Sequence, residues 1–447
     1  MTFTKKRLLY LQGAIAPHFF MSKLPSLIAA LFLLARPLLA DDVEIRWWKA
    51  SHGATSADWE QLIGGFETEH PGVSVQVVHH AWANWDERYT SAFIGATPPD
   101  VSYMPDEFWV RYAASGHLAR LDELFPEEIE AMEAEYPPNL WQLGRYGGHQ
   151  YGIPYMFVGY LLCINQALFD DAGIAHPPDD PGDPHFADWT WARFMEVAKA
   201  LTRDLDGDGA TDQYGFVWTA LEANPNSIYP FLWQAGADII DVPNNTNGFA
   251  ARGAAGLQFI RDLIDAGVIA GDGIFPAANE LFLTPFYEGQ AAMALFPSTS
   301  VIRIGEDFPD LNVRFVLPPQ GPGTDFYDGR GTFGNAGFWV VAEASAHKRE
   351  AFELVQFLNR RANMARMMDI FKLFGARNDW RPPAEEPLLQ PFVPARRYLV
   401  PYPLHPKLRQ THSLLLAQIQ NMVLGDVMPE EAIATAARQV DALLGTR

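Results

Sequence analysis

The chain has 447 residues, of which 48% are apolar, and carries a formal net charge of −21. A chain of this length can bury a large core and is expected to divide into two domains or lobes. The excess of acidic residues excludes nucleic acid as a partner, because a phosphate backbone requires a basic surface.

An apolar segment near the N-terminus, LPSLIAALFLLA, occupies residues 24–35. It is too short to cross a membrane, which takes about 20 apolar residues. Lys23 before the segment and Ala40 as the cleavage residue are typical of a signal peptide. We therefore predict that residues 1–40 are a signal peptide and that translation starts at Met21. Its removal takes away five basic residues and no acid, so the mature chain carries a charge of about −26.

Cys163 is the only cysteine of the chain, so it cannot form an intramolecular disulfide. No cysteine follows the apolar segment at the predicted cleavage site. We therefore expect a secreted protein that is not lipid-anchored.

The first predicted elements form a βαβ unit. Apolar and polar residues alternate along 43–48 and again along 73–78, which is typical of strands. Between them, residues 58–70 place apolar side chains at helical spacing, and Pro71 and Gly72 end the helix.

Later elements follow the same alternation of strand and helix. A strand is predicted at 99–104 and a helix from 106 to Gly116. Further helices are predicted at 190–202 with Thr190 as its N-cap, 253–267, 347–359 and 429–444. The proline-rich stretches 176–188 and 381–394 are predicted to be surface loops.

An aspartate-rich stretch, DLDGDGATDQYGF, covers residues 204–216. The candidate metal ligands are Asp204, Asp206, Asp208 and Asp212, which fall at positions 1, 3, 5 and 9 of an EF-hand-type loop. The glutamate that closes such a loop at position 12 is replaced by Gly215. Two interpretations stay open: a structural calcium ion, or an Asx turn between a helix and the next strand. We expect no other cofactor.

Several tryptophans lie where predicted strands run into loops, the edge at which open α/β sheets bind ligands. Trp47 and Trp48 end the first strand and point to opposite faces; Trp47 shares the apolar face, so Trp48 is the candidate for the cleft. Trp82 and Trp85 follow the third element. Aromatic rings at such places stack on the apolar faces of sugars.

The order of blocks along the chain resembles the family 1 extracellular solute-binding proteins, the periplasmic receptors of carbohydrate ABC transporters of the maltose-binding class. The blocks that carry the resemblance are FETEHPGVSVQV, ATPPDVSYM, YGIPYMFVGYLLCINQALFDDAGI, TWARFMEVAKALT, PFLWQAGADII, YEGQAAMALF, VRFVLPP, HKREAFELVQFLN and GDVMPEEAIATAARQVDALL. They run in the family's order from about residue 43 to the C-terminus.

The resemblance implies an α/β fold of two lobes, the type II periplasmic binding protein fold, in which each lobe is a mainly parallel sheet flanked by helices. Crossover strands join the lobes and act as hinges. Residues 41–154 and 321–365 are expected in the N-terminal lobe, and residues 155–320 and 366–447 in the C-terminal lobe. The implied protein is a monomeric periplasmic receptor, not an enzyme. It closes on a mono- or oligosaccharide and delivers it to permease subunits in the inner membrane.

The resemblance also implies ligand-binding residues. A sugar-binding carboxylate is expected at Glu107, with its neighbour Asp106 as the alternative. Further ligand contacts are expected from Tyr155 at the first crossover, Trp233, Phe296, Asn335 near the second crossover, and Arg377 from the C-terminal lobe.

Two other functions stay open on the sequence. A receptor for a polyol or for sn-glycerol 3-phosphate is the alternative within the same family, because Arg377 and the PSTS stretch at 297–300 suit a phosphate. The alternative from another class is a secreted carbohydrate-active hydrolase. Such an enzyme needs two carboxylates facing each other across about 5 to 9.5 Å, which adjacent residues such as Asp106 and Glu107 rarely do.

Overall fold

The computed structural model describes residues 42–50, 56–80, 85–95, 97–221, 225–276, 281–371 and 373–445. The predicted signal peptide and Trp82 lie outside these residues. The strands are β1 (Val43–Ala50), β2 (Val73–His80), β3 (Val101–Pro105), β4 (Arg145–Tyr146), β5 (His149–Gln150), β6 (Gly152–Asn165), β7 (Ile240–Asp241), β8 (Thr246–Asn247), β9 (Met293–Pro297), β10 (Val313–Val316), β11 (Thr332–Val341), β12 (Phe374–Gly375) and β13 (Leu399–Val400).

The helices alternate with these strands along the chain. They are α1 (Ser56–Glu69), α2 (Trp85–Ile94), α3 (Asp106–Ala114), α4 (Leu121–Leu124), α5 (Pro126–Glu133), α6 (Pro138–Gln142), α7 (Gln166–Ala172), α8 (Trp191–Ala200), α9 (Tyr229–Gln234), α10 (Gly253–Asp265), α11 (Gly271–Ile274), α12 (Thr284–Tyr287), α13 (Ser300–Asp307), α14 (Asp325–Gly329), α15 (Lys348–Asn359), α16 (Arg361–Phe371), α17 (Phe392–Ala395), α18 (Leu408–Val423) and α19 (Pro429–Leu444).

The predicted βαβ unit at the start of the chain is confirmed. Strand β1 pairs in parallel with β2, with Val43 opposite Val73, and in parallel with β3. Trp47 is fully buried and packs edge-on against Trp59 of α1, with the ring centroids 5.2 Å apart. The alternation of β1 therefore places Trp47 in the core, as predicted.

Strand β6 connects two halves of one sheet. Its residues 152–159 pair antiparallel with β11, which in turn pairs antiparallel with β3. Its residues 160–165 pair antiparallel with β9 and β10. We call the part containing β1, β2, β3 and β11 the first half and the part containing β9 and β10 the second half. The predicted crossover at Pro154 thus lies within a strand that belongs to both halves.

Helices cover the second half of the sheet. Helix α9 packs against α10, which contacts α19, and α19 packs along α18. A Cβ atom at Gly256 of α10 would lie 2.7 Å from the carbonyl oxygen of Phe231 in α9, so only glycine permits this approach. Leu232, Ile260, Ile419 and Val440 are buried between these helices.

Local signals in the sequence set the helix ends. The Thr190 hydroxyl accepts a hydrogen bond from the backbone amide of Arg193 (3.4 Å), which confirms the predicted N-cap of α8. Helix α19 begins at Pro429 and ends at Leu444, the predicted bounds, and Gly445 follows with a φ of 88°.

Within the described residues, none of the helices is both long enough and apolar enough to span a membrane. The boundaries expected for the two lobes stay a prediction.

Candidate functional site

A cavity of about 330 Å³ lies beside β6 at the start of the second half of the sheet. Such a volume is at the small end of the range for ligand pockets, about 300 to 1,000 Å³. Its lining consists of Tyr160, Val217, Trp218, Asn226, Ser227, Phe282, Leu283, Tyr287, Leu295, Pro297, Thr299, Ser300 and Arg303. Tyr160 is the first residue of β6 to pair with β9, directly after Gly159, which pairs with β11. The cavity therefore lies next to the junction between the two halves.

The alternation of β9 decides which of its side chains reach the cavity. Leu295 and Pro297 line it, whereas Phe296 between them is fully buried on the opposite face and packs against Phe286 with ring centroids 5.0 Å apart. The prediction that Phe296 faces a ligand is therefore not supported in this conformation.

Hydrogen bonds fix one aromatic wall of the cavity. The Trp218 indole Nε1 donates to the carbonyl oxygen of Ser227 (2.8 Å), and the Ser227 hydroxyl donates to the carbonyl oxygen of Thr219 (2.8 Å). The hydroxyl of Tyr160 is hydrogen-bonded to the side chain of Asn226. The wall thus presents aromatic faces whose polar atoms are already held in place.

The beginning of α13 supplies polar groups to the opposite wall. Thr299 and Ser300 contribute hydroxyls, and Arg303 lies one turn further along the helix. The Arg303 guanidinium lies 4.7 Å from the ring centroid of Tyr287 and 3.5 Å from the Asp307 carboxylate. Aromatic faces together with hydroxyl, amide and guanidinium groups suit a small ligand that has both apolar faces and many hydroxyls.

Asp106 and Glu107 begin helix α3, directly after strand β3. The Asp106 carboxylate is buried and accepts hydrogen bonds from the backbone amides of Glu107 (3.1 Å) and Ala336 (3.4 Å). The Asp106 carboxylate therefore joins the start of α3 to β11.

The neighbouring Glu107 is the carboxylate that is left for a ligand. Among the described residues, its Oε2 atom is buried and has no hydrogen-bond partner. Burial raises the pKa of Tyr160, and the charge of Glu107 raises it further, although Glu107 itself is not among the residues that line the cavity. An unpaired buried carboxylate oxygen is costly, so it favours a ligand that donates a hydrogen bond.

Burial raises the pKa of both carboxyl groups. It raises the pKa of Asp106 well above the usual range, and the adjacent Glu107 carboxylate raises it further. Burial also raises the pKa of Glu107, but hydrogen bonds and the charge of Arg409 lower it in part. Burial therefore disfavours the charged form of both carboxyl groups, and the charge of Arg409 offsets this effect at Glu107.

Three more of the predicted ligand residues are core residues in this conformation. Trp85 stacks on Tyr89 with ring centroids 4.1 Å apart, and Tyr155 stacks on Trp339 at the same distance. Trp233 has no exposed surface and lies parallel to Phe333. In this conformation the rings of all three residues pack on protein.

Trp48 and Asn335 are partly buried and border other depressions. Trp48 packs edge-on against His80, with ring centroids 4.4 Å apart, in an open depression between β1, β2 and α2. Asn335 lines a separate cavity of about 160 Å³ together with Tyr327 and Arg396. Neither residue lines the cavity at Tyr160.

Arg377 has a structural environment in the first half of the fold, not in the C-terminal lobe as expected. Its guanidinium pairs with Glu135 and with Asp379 (3.0 Å), and it donates to the carbonyl oxygen of Asn359 (3.4 Å). Arg377 is 8% exposed, and it joins three segments that are distant in sequence. In this conformation its partners are protein groups, and the expectation that it contacts a ligand stays a prediction.

The aspartate-rich loop is exposed and self-bonded. One carboxylate oxygen each from Asp204, Asp206 and Asp208 lies within 4.8 Å of the others. Asp204 accepts from the amides of Gly207 (2.7 Å) and Gly209 (2.8 Å), the Asx-turn interpretation, and the backbone hydrogen bonds lower its pKa.

Calcium binding by Asp204, Asp206, Asp208 and Asp212 stays a prediction. If an ion is bound, the melting temperature is expected to be lower in EDTA than in excess calcium, since an ion that binds only the folded state stabilises it. Equal melting temperatures in the two buffers would show that no calcium ion is bound.

The cavity residues that were not predicted from the sequence include Tyr160, Trp218, Asn226 and Arg303. Asn226 and Ser227 lie in the NPNS stretch before α9, and Arg303 follows the PSTS stretch by three residues. Polar turns just before a helix were the available signal, because they bring hydroxyl and amide groups to one end of the sheet.

Comparison with known proteins identifies the fold. A binding protein of Brucella abortus is 23% identical over 429 residues, which cover 94% of this chain and 97% of the relative. The sugar-binding protein MalE of Xanthomonas citri superimposes with a TM-score of 0.74 at 20% identity, covering 90% of this chain and 98% of that one. An ABC substrate-binding protein of Listeria monocytogenes in complex with cycloalternan superimposes with a TM-score of 0.73 at 20% identity, covering 91% of this chain and 100% of that one.

These neighbours show that the chain has the two-lobe α/β fold of type II periplasmic binding proteins. Residues 49–365 match the profile of one family, described as bacterial extracellular solute-binding proteins. The matched residues include β6 and β11, the strands that run through the junction of the two halves. The chain belongs to the bacterial extracellular solute-binding protein family.

Proposed function

We propose that the protein is a periplasmic receptor that binds a mono- or oligosaccharide and delivers it to the permease of an ABC transporter in the inner membrane. The observation that carries this proposal is the cavity at Tyr160, in which aromatic rings, hydroxyls and an amide surround a space of about 330 Å³. Glu107 adds a buried carboxylate oxygen that has no hydrogen-bond partner among the described residues. Solved relatives of the same fold are described with cycloalternan, maltotriose and α-D-tagatose bound.

The ligand would be held without being chemically changed. Glycoside hydrolysis needs an acid and a second carboxylate on opposite sides of the bond, about 5 to 9.5 Å apart. Asp106 and Glu107 are neighbours on one helix turn, and the hydrogen bonds of Asp106 join backbone segments. This arrangement supports binding rather than hydrolysis.

The location in the periplasm and the absence of a lipid anchor are part of the proposal. They rest on the signal-peptide pattern of residues 1–40 and on the lack of a cysteine after it. One relative, from Streptomyces antibioticus, is named a lipoprotein; it is 28% identical over 178 residues, 40% of this chain and 35% of the relative. Metabolic labelling with a fatty acid distinguishes the two forms, because only a lipoprotein would incorporate it.

The second candidate ligand is sn-glycerol 3-phosphate or a polyol. Arg303 favours it, because a guanidinium and two hydroxyls at the start of α13 could meet a phosphate. Against it stands the charge of Glu107, which acts on the pKa of Tyr160 and would repel an anion. The sugar is therefore the preferred ligand.

A thermal-shift screen of the mature protein tests the proposal. We expect one or more neutral sugars to raise the melting temperature, because a ligand that binds only the folded state stabilises it by RT ln(1 + [L]/Kd). At a concentration 100 times Kd, the gain is about 2.7 kcal/mol.

The panel should contain monosaccharides, oligosaccharides, polyols and sn-glycerol 3-phosphate. If only sn-glycerol 3-phosphate or a polyol raised the melting temperature, the second candidate would be the ligand instead of a sugar. A shift accompanied by release of reducing ends from an oligosaccharide would favour the hydrolase instead.

A further inference from the structure

Helices α2 and α18 belong to opposite halves of the fold and meet at Arg409. The Nε atom of Arg409, in α18, lies 3.9 Å from a carboxylate oxygen of Asp86 in α2. The Arg409 guanidinium also lies 4.9 Å from the ring centroid of Phe108 in α3. One side chain of the second half therefore contacts two helices of the first half.

The Asp86 carboxylate is held in place from its own side. Arg111 of α3 pairs with it, and the Arg111 guanidinium also donates to the hydroxyls of Thr90 (3.2 Å) and Tyr112 (2.9 Å). These contacts all lie within the first half. The acceptor for Arg409 is thus fixed before the two halves meet, so little side-chain entropy of Asp86 remains to be lost.

The position of Arg409 also affects the candidate ligand residue. Glu107 and Phe108 are adjacent in α3, and Arg409 lies over the Phe108 ring. The charge of Arg409 lowers the pKa of Glu107 and so opposes the effect of burial. Removing this charge, or moving it away by opening the two halves, makes ionisation of Glu107 less favourable.

We propose that Arg409 is a positioning residue that acts only in the closed conformation: it holds α18 against α2 through Asp86 and against α3 through the ring of Phe108. The protein would therefore close to a measurable extent before any ligand is bound. The proposal rests on the two-lobe fold and not on the chemical identity of the ligand.

The salt dependence of closure follows from the exposure of the pair. The side chains of Arg409 and Asp86 keep 49% and 35% of their surface exposed, so dissolved ions screen their attraction. An exposed ion pair changes an equilibrium by about two- to fivefold. The closed population without ligand is expected to change by this factor between low and high salt.

Electron–electron distance measurement on the full mature chain, without ligand, tests the proposal. Spin labels are placed at two exposed positions in opposite halves, Ile94→Cys at the end of α2 and Leu424→Cys after α18. Cys163 is fully buried and stays unlabelled, which a sample with Cys163 alone confirms. In low salt, we expect two populations of label-to-label distances. Arg409→Gln should lower the ratio of the short-distance population to the long-distance population by about two- to fivefold.

Matched variants separate this effect from a general loss of structure. Arg409→Lys keeps the charge and should restore part of the short-distance population. Asp86→Asn should lower it, and the double variant Asp86→Asn, Arg409→Gln should lower it no further than the single variants. Arg193→Gln is the control, because the partner of Arg193 among the described residues is Glu196 of the same helix, and its exposure of 48% is similar.

Two results would overturn the proposal. One is a wild-type distance distribution that is the same in low and high salt. The other is an Arg409→Gln distance distribution that is the same as that of the wild type, or that differs from the wild type no more than the Arg193→Gln distribution does. Because no ligand is used, a sugar screen without a hit would disprove the proposed function and leave this result unaffected.

Discussion

Replacing Trp233 by alanine is expected to lower the free energy of unfolding by about 3 to 5 kcal/mol. The Trp233 ring has no exposed surface; it lies 6.2 Å from the parallel ring of Phe333 and 5.5 Å, edge-on, from Tyr229. The deletion would leave a cavity between α9 and β11, and the surrounding helices can close it only in part. Urea unfolding followed by circular dichroism measures the loss.

Trp48→Ala is the matched control for this prediction, because the Trp48 ring is partly exposed and borders an open depression. Its loss of stability should be smaller. If Trp233→Ala kept the stability of the wild type but lost ligand affinity, the ring would be a ligand contact after all. That was the original expectation from the family resemblance.

The second large effect is expected on ligand affinity. Tyr160→Ala should weaken binding of a sugar found in the thermal-shift screen by about 1 to 3 kcal/mol, which is roughly 5- to 150-fold in Kd. The ring lies at the junction of the two halves and is only partly buried, so it can stack on a ligand. Isothermal titration calorimetry measures the change directly.

Two further variants test the role of the Tyr160 hydroxyl and the location of the ligand. Tyr160→Phe keeps the ring and removes the hydroxyl that bonds to Asn226, so its affinity should lie between those of the wild type and Tyr160→Ala. Tyr327→Ala removes a half-exposed ring that lines the separate cavity of about 160 Å³. An equal loss of affinity in Tyr327→Ala would place the ligand outside the cavity at Tyr160.

Local patterns in the sequence were sufficient for much of the fold. The alternation of β1 and β2 with the helical spacing of α1 predicted the βαβ unit, because each element buries one face. The start of α19 followed from Pro429 and the two glutamates after it, which suit a helix N-terminus. These signals act within a few residues, so they need no knowledge of the rest of the chain.

The ligand residues were harder to predict, because strand alternation says that neighbours face opposite sides but not which side holds the cavity. Phe296 faces the core, while Leu295 and Pro297 face the cavity. In α9, every residue from Tyr229 to Gln234 is buried, so helical periodicity could not indicate where Trp233 points.

The environment of Arg377 could not be predicted from the sequence for a different reason. Its partner Glu135 lies 242 residues earlier in the chain, and no local pattern connects them. From the sequence alone, Arg377 could therefore belong to either half of the fold. Only the packing of that segment against β6, where β12 pairs with Phe157, shows that it belongs to the first half.

A crystal structure of the mature protein with the sugar that stabilises it most is the most direct test of the proposed function. The account predicts electron density for the sugar between the two halves, with a ring against Tyr160 or Trp218 and a hydroxyl within hydrogen-bond distance of Glu107. Density at another surface with the cavity at Tyr160 free of sugar would contradict it, as would a sugar whose hydroxyls leave Glu107 without a hydrogen bond.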